Sequence, residues 1–98
     1  LVDFAKKTKI SLRDTDRLTR FGGDELMAIL PDTDLEHALL IAGRLHAAGK
    51  TSQPIAWSVS IGASAWLDAD DSLAAMLNRA DKALYQSKTL GRGQTQAL

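Results

Sequence analysis

The chain contains no cysteine, so disulfide bonds and thiol chemistry are excluded, and the composition fits a reducing, cytoplasmic compartment. No hydrophobic run approaches the roughly 20 residues that span a bilayer, and no signal peptide is visible. We therefore expect no direct membrane contact from this segment, although a preceding region of the parent protein could carry an anchor. The 12 basic and 12 acidic residues cancel, so net charge gives no reason to expect a nucleic-acid partner.

The 98 residues, 45% of them hydrophobic, suffice for one small domain with a modest core. The sequence opens at Leu1 in the middle of a helical pattern and without a starting methionine. We therefore interpret the chain as part of a longer protein. Because a small domain buries a smaller share of its surface than a large one, we expect the chain to be marginally stable by itself.

Hydrophobic spacing and turn residues predict three helices and three strands in the order α-β-β-α-β-α. Thr33 and Glu36 match a capping box at the start of the second helix, Gly49 suits its end, and Ser72 can cap the third. A hairpin among helices indicates the α+β class, with an antiparallel-rich central sheet on which helices pack. The predicted helices span about 1–13, 33–48 and 72–89, and the predicted strands 18–21, 26–30 and 55–65.

The stretch 55–65 alternates strictly, which is a strong strand signal. One face carries larger apolar side chains such as Trp57 and Ile61, and the other carries only small residues, including Ser60 and Gly62. Small residues in a strand indicate the close approach of another group. That group is either a packed helix, which we favour, or a ligand. We expect this strand to pair in one sheet with the hairpin.

Residues 21–26 read FGGDEL and place two adjacent carboxylates on a glycine turn between apolar runs. The simpler interpretation is a hairpin tip that its charges keep soluble, because Gly and Asp populate turns generally. The alternative is a site for metal and phosphate. Glycine lets a backbone approach phosphate closely, and Mg²⁺ is commonly held by one or two carboxylates together with substrate phosphates.

Basic residues elsewhere bear on that choice. Arg13 and Asp16, with two residues between them, could recognise a phosphate or a guanine edge, or could form an ordinary surface ion pair. Arg44 lies on the second helix, where an arginine is usually solvated. Lys88 and Arg92, four positions apart, could grip phosphates or simply suit a helix C-terminus.

The histidines and tryptophans do not indicate a site. His37 and His46 have no metal-binding partner at a fixed spacing, and the sequence has no His/Cys cluster. We expect Trp57 and Trp66 to serve in packing. Neither a phosphate-binding GxxxxGK[ST] loop nor a GxGxxG turn occurs.

Three segments together resemble the GGDEF family of diguanylate cyclases. In chain order they are RDTDRLTRFGGDEL, SVSIGAS and RADKALYQSKTLGRG, and the resemblance covers nearly all of the chain. It implies a nucleotide-cyclase-like α+β fold. It also implies an enzyme of bacterial second-messenger signalling, in which a homodimer joins two GTP molecules into cyclic di-GMP and releases pyrophosphate.

The resemblance also implies roles for individual residues. Asp24 and Glu25 would be the catalytic residues and the ligands of Mg²⁺ or Mn²⁺. The implied substrate- and phosphate-binding residues are Gly22, Gly23, Lys88 and Arg92. The implied inhibitory site, which binds the product cyclic di-GMP, consists of Arg13, Asp16 and Arg44.

Three departures from the family pattern leave other functions open. Leu26 stands where the motif ends in Phe, and Gly93 replaces the usual Asn. No segment before Leu1 resembles the family's first strand and helix, which carry a further metal-binding Asp. We therefore expect 1–98 to be a partial GGDEF domain that is inactive alone. The alternatives to an enzyme are a cyclic di-GMP receptor and a dimerisation domain.

Overall fold

A computed structural model of the chain describes residues 2–22, 25–69 and 71–98. The described helices are α1 (Val2–Ser11), α2 (Leu35–Lys50) and α3 (Leu73–Thr89). The described strands are β1 (Arg17–Gly22), β2 (Glu25–Ile29), β3 (Ile61–Ala63) and β4 (Thr95–Ala97). The α+β class is confirmed, and so is the order of the six predicted elements. The short strand β4 was not predicted.

The antiparallel hairpin of β1 and β2 is confirmed close to its predicted bounds. Its register pairs Arg17 with Ile29 and Arg20 with Leu26, and it is irregular between Arg20 and Gly22. Phe21, at that irregularity, is exposed. An irregularity of this kind twists the strand and redirects its side chains.

The predicted strand over 55–65 is mostly wrong, because only Ile61–Ala63 forms one. These residues pair in parallel with β4, and the described strands form two separate two-stranded sheets. Before Ile61 the backbone has a different partner: the Trp57 amide donates to the Gly49 carbonyl at the end of α2, over 3.0 Å. The expected pairing of this segment with the hairpin is therefore not seen in the described strands.

The small face of that segment packs on a helix, as we favoured. A Cβ added to Gly62 would lie 2.2 Å from the Ala80 carbonyl oxygen and 2.3 Å from the Leu84 nitrogen, both in the backbone of α3. On the facing side of α3, Ala83 and Ser87 are fully buried. Small residues on both elements thus allow helix and strand backbones to touch.

The two long helices begin at side-chain caps. Ser72 accepts a hydrogen bond from the Ala75 amide (3.0 Å), as predicted. The predicted Thr33 cap of α2 is wrong by one residue, because Asp34 is the N-cap and accepts from the His37 amide over 2.8 Å. Since a carboxylate also interacts favourably with the positive end of the helix dipole, Asp34 is the better cap.

An ion pair fastens the segment after β3 to α3. Arg79 donates to the Asp71 carboxylate over 2.6 and 3.0 Å and to the Ala65 carbonyl over 2.8 Å. Asp71 also accepts from the Leu67 and Ser72 amides. The hydrogen bonds from Arg79 hold the pKa of Asp71 far below its usual range. Asp71 is therefore a charged partner of Arg79 at neutral pH.

A second polar contact joins α1 to the segment after α2. The Asp3 carboxylate accepts hydrogen bonds from the Ser52 hydroxyl and the Trp57 indole, which lower the pKa of Asp3. The Trp57 ring also meets Phe4 edge to face, with centroids 5.4 Å apart. The predicted packing role of Trp57 is confirmed. That of Trp66 is not, because its side chain is 56% exposed.

His46 links α2 to β4 and gives the fold a predictable pH dependence. Its Nε2 lies 2.8 Å from the Thr95 hydroxyl, and burial lowers its pKa below the ordinary value of 6.5. Neutral His46 therefore stabilises the folded state above pH 6.5, and this contribution is lost as the pH falls through the lower folded pKa.

We expect the midpoint of thermal unfolding to fall more between about pH 7.5 and about pH 5.5 in the wild type than in His46→Gln, by ~2 °C. Glutamine keeps a side-chain partner for Thr95 without titrating. Thermal melts followed by circular dichroism at both pH values provide the measurement. Equal shifts in the two proteins would show that His46 does not contribute.

None of the described helices has the length and hydropathy that crossing a membrane requires.

Candidate functional site

The glycine turn joins the two strands of the hairpin. Strand β1 ends at Gly22 and β2 begins at Glu25. Gly23 and Asp24 lie outside the described residues, so their predicted roles stay predictions. Leu26 is partly buried and lies opposite Arg20 in the hairpin. An apolar side chain of either type suits this position, so the departure from Phe is compatible with the hairpin.

Glu25 and Lys88 are brought together although they are distant in sequence. The Lys88 ammonium nitrogen lies 3.8 Å from a Glu25 carboxylate oxygen. Lys88 projects from the last turn of α3, and Glu25 opens β2. The contact therefore places a residue predicted to bind metal beside a residue predicted to bind phosphate.

Arg92 follows the end of α3 in an unusual backbone conformation. Its φ is 61°, and that of the preceding Gly91 is 118°, so both residues lie in the left-handed region. The Arg92 amide donates to the Ser87 carbonyl over 2.9 Å, which closes the helix end. Within the described part of the chain, no hydrogen bond or ion pair engages the exposed Arg92 guanidinium, which leaves it free for an anion.

A complete metal site is not formed by the described residues alone. No three acidic or histidine side chains converge on a common point among residues 2–22, 25–69 and 71–98. Glu25 nevertheless offers a half-exposed carboxylate, the hard oxygen ligand that Mg²⁺ prefers. The carboxylate at the hairpin tip is of the kind that a divalent cation prefers, and the role of Glu25 as a metal ligand stays a prediction.

Arg13 and Asp16 form more than a surface ion pair. The Asp16 carboxylate is fully buried and accepts from the Arg13 side chain over 3.1 and 3.4 Å and from its amide over 2.8 Å. These bonds, the side-chain ones first, lower the pKa of Asp16. The same guanidinium also donates to the Pro31 carbonyl and the Thr33 hydroxyl, over 2.7 and 2.6 Å. Arg13 thus joins the end of α1 to the loop between β2 and α2.

Arg44 occupies an exposed position on α2, beside the buried Ala42 and Leu45. In the structure as described, no hydrogen bond or ion pair connects Arg44 with Arg13 or Asp16. The predicted convergence of these three residues on one ligand therefore stays a prediction.

The family profile "Diguanylate cyclase, GGDEF domain" matches residues 1–94. The chain belongs to the GGDEF family. Among curated relatives, Response regulator PleD of Caulobacter vibrioides is 37% identical over 94% of this chain and 22% of its own length. Diguanylate cyclase A of Treponema denticola is 32% identical over 96% of this chain and 27% of its own. The chain thus spans about a quarter of the length of these relatives.

A solved structure gives the same assignment. The GGDEF domain of PA1120 (YfiN or TpbB) from Pseudomonas aeruginosa is similar, with a TM-score of 0.89 and 30% identity. The alignment covers 99% of this chain and 65% of that one. The expected membership of a nucleotidyltransferase family and the expected GGDEF fold are therefore confirmed.

Two contacts were missed by reasoning from sequence, one at the candidate site and one that supports the fold. One is the contact between Glu25 and Lys88, since the motifs name both residues but give no distance between them. The other is the ion pair of Asp71 and Arg79. Arg79 opens the motif RADKALY, yet nothing in the spacing of charges marks Asp71 as its partner.

Proposed function

We propose that the chain is the C-terminal part of a diguanylate cyclase domain, whose parent protein condenses two GTP molecules into cyclic di-GMP. The observation that carries this proposal is the 3.8 Å approach of Lys88 to Glu25. This contact supports a site at the hairpin tip where a metal ion and a phosphate group bind next to each other. The family membership supplies the reaction.

In this reaction the 3′-hydroxyl oxygen of one GTP attacks the α-phosphorus of the other, and the bond to the β-phosphate oxygen breaks. The hydroxyl loses its proton and pyrophosphate leaves. A second attack of the same kind, by the remaining 3′-hydroxyl on the other α-phosphorus, closes the ring and releases a second proton and a second pyrophosphate. A bound Mg²⁺ would neutralise charge on the phosphoryl oxygens and would lower the pKa of the attacking hydroxyl. Asp24 and Glu25 would hold the cation, and Asp24 would help to remove the proton.

The other site residues would act on the substrate. Gly22 and Gly23 would let the turn approach the phosphates without a Cβ in the way. Lys88 and Arg92 would bind the terminal phosphates, where the free Arg92 guanidinium suits a bidentate contact. Because each subunit presents one GTP, a homodimer would bring the two reacting groups together.

An assay with GTP and Mg²⁺ tests the proposal. We expect the complete protein to form cyclic di-GMP and the 98-residue chain alone to form none, because the resemblance assigns a further metal ligand to a segment outside 1–98. Chromatography of the products at matched protein concentration gives the answer. Turnover by the short chain would contradict the partial-domain proposal, whereas an inactive complete protein would favour a receptor or dimerisation module.

Product binding at a second site is a further part of this proposal. It rests on the resemblance of Arg13, Asp16 and Arg44 to the family's product-binding residues, and the Arg13 side chain is 53% exposed although Asp16 anchors it. We expect Arg44→Ala to weaken the binding of cyclic di-GMP about tenfold, the cost of losing a charge-assisted hydrogen bond. Arg13→Lys should also weaken binding while leaving a cation beside the buried Asp16. Calorimetry provides the measurement, and circular dichroism confirms folding. Unchanged affinity in both variants would rule out this site.

A further inference from the structure

Glu25 and Lys88 neutralise each other in the absence of substrate. Their side chains are 46% and 38% exposed, so water and ions can reach both. Apart from their mutual contact, no ion pair or hydrogen bond engages either side chain within the described residues. Glu25 and Lys88 are therefore paired with each other, although in the proposed reaction Glu25 binds a metal ion and Lys88 binds a phosphate.

This pairing opposes the entry of either ligand alone. A divalent cation that approaches Glu25 meets the positive charge of Lys88 within 3.8 Å of the same carboxylate. A polyphosphate that approaches Lys88 meets the negative charge of Glu25. When both ligands enter, the ion pair is replaced by two favourable contacts, one between the cation and Glu25 and one between the polyphosphate and Lys88. Each charge then faces an opposite charge.

We propose that the Glu25–Lys88 ion pair is a latch that favours joint entry of a divalent cation and a polyphosphate over entry of either one alone. The inference rests on the proposed function and adds a regulation of the same site. An exposed ion pair contributes little free energy, so the latch opens readily. Its removal should change ligand affinity about two- to fivefold, the range that such pairs support.

The first test measures the binding of Mn²⁺ alone to the complete protein, from the electron paramagnetic resonance signal of the free ion. We expect Lys88→Ala to bind Mn²⁺ about two- to fivefold more tightly than the wild type. Lys82→Ala is the matched control, because Lys82 is an exposed lysine on the same helix. Low ionic strength keeps the effect measurable, since salt screens exposed charges.

The second test measures the binding of inorganic tripolyphosphate in metal-free buffer by calorimetry. We expect Glu25→Gln to bind this anion about two- to fivefold more tightly than the wild type. Glu36→Gln, a change of the same charge at an exposed position of α2, should bind it as the wild type does.

The outcomes separate the latch from the proposed function. Mn²⁺ affinity that is equal or weaker in Lys88→Ala, with Mn²⁺ still bound by the wild type, overturns the latch and leaves the proposed function standing. A change in Lys82→Ala equal to that in Lys88→Ala also overturns it, because the effect would then be general electrostatics. Absence of Mn²⁺ binding in the wild type and Lys88→Ala, together with absence of GTP turnover, overturns both.

Discussion

Asp24→Ala in the complete protein should lower the rate of cyclic di-GMP formation by about 10²–10³, with little effect on stability. The expected loss follows from the position of Asp24 in the sequence, directly after the glycine pair and directly before Glu25. A carboxylate that holds a divalent cation stabilises the charge that develops on the phosphoryl oxygens. Removing one such stabilising group has a cost of this order.

Asp14→Ala is the matched control for this variant. Asp14 is exposed, and its described contact is made by the backbone carbonyl, which accepts from Arg17 over 2.9 Å and is kept by alanine. Both variants are compared with the wild type at saturating GTP and Mg²⁺, and circular dichroism checks that they fold. Activity of Asp24→Ala within a few-fold of the wild type would contradict the catalytic role.

Local patterns predicted the hairpin and helices well, because their causes are local. Glycine at the turn and apolar runs on either side predict the hairpin, and its described strands begin and end within one residue of expectation. The cap at Ser72 depends on groups within one helical turn. The cap at Asp34 shows where local patterns are insufficient, because Thr33 and Asp34 are both good N-cap residues. The choice between them depends on a distant residue, since the Arg13 guanidinium donates to the Thr33 hydroxyl while Asp34 accepts from the His37 amide.

The 55–65 segment was predicted less well. Alternating large and small side chains indicate that the two faces of a segment have different surroundings, but they do not identify the strand with which its backbone pairs. Its small face does lie against α3 at Gly62, as the pattern indicates. A strand also requires a neighbour, and β4 provides one for three residues only. Strand β4 itself is too short for a period to be visible in the sequence.

The sequence motifs predicted which residues belong to the candidate site, but they did not predict which of those residues are in contact. Resemblance to a family identified Glu25, Lys88 and Arg92, because those residues stand in specific motifs. Of these three, the structure brings two together: Lys88, in the last turn of α3, lies 3.8 Å from Glu25, which opens β2. This ion pair joins segments that are distant in the sequence, so no spacing of residues predicts it, and it is the basis for the latch.

Gly62→Ala should destabilise the fold by about 3 kcal/mol or more, a large part of the total stability of a small domain. The added methyl group would lie 2.2 Å from the Ala80 carbonyl oxygen. Because the obstructing atoms belong to the backbone of α3, no side chain can turn aside to admit it. The helix would have to move away from β3, and the burial of Ala83 and Ser87 would be lost with it.

Gly43→Ala is the contrasting variant, because nothing lies within 4 Å of a Cβ added at Gly43. Alanine inside α2 should raise the free energy of unfolding by about 0.5–1 kcal/mol, since glycine loses more backbone entropy in a helix. Urea unfolding followed by tryptophan fluorescence measures both changes. If Gly62→Ala proved as stable as the wild type, β3 and α3 would not lie in backbone contact. If both variants lost stability equally, the cost would lie in replacing glycine generally and not in the contact between β3 and α3.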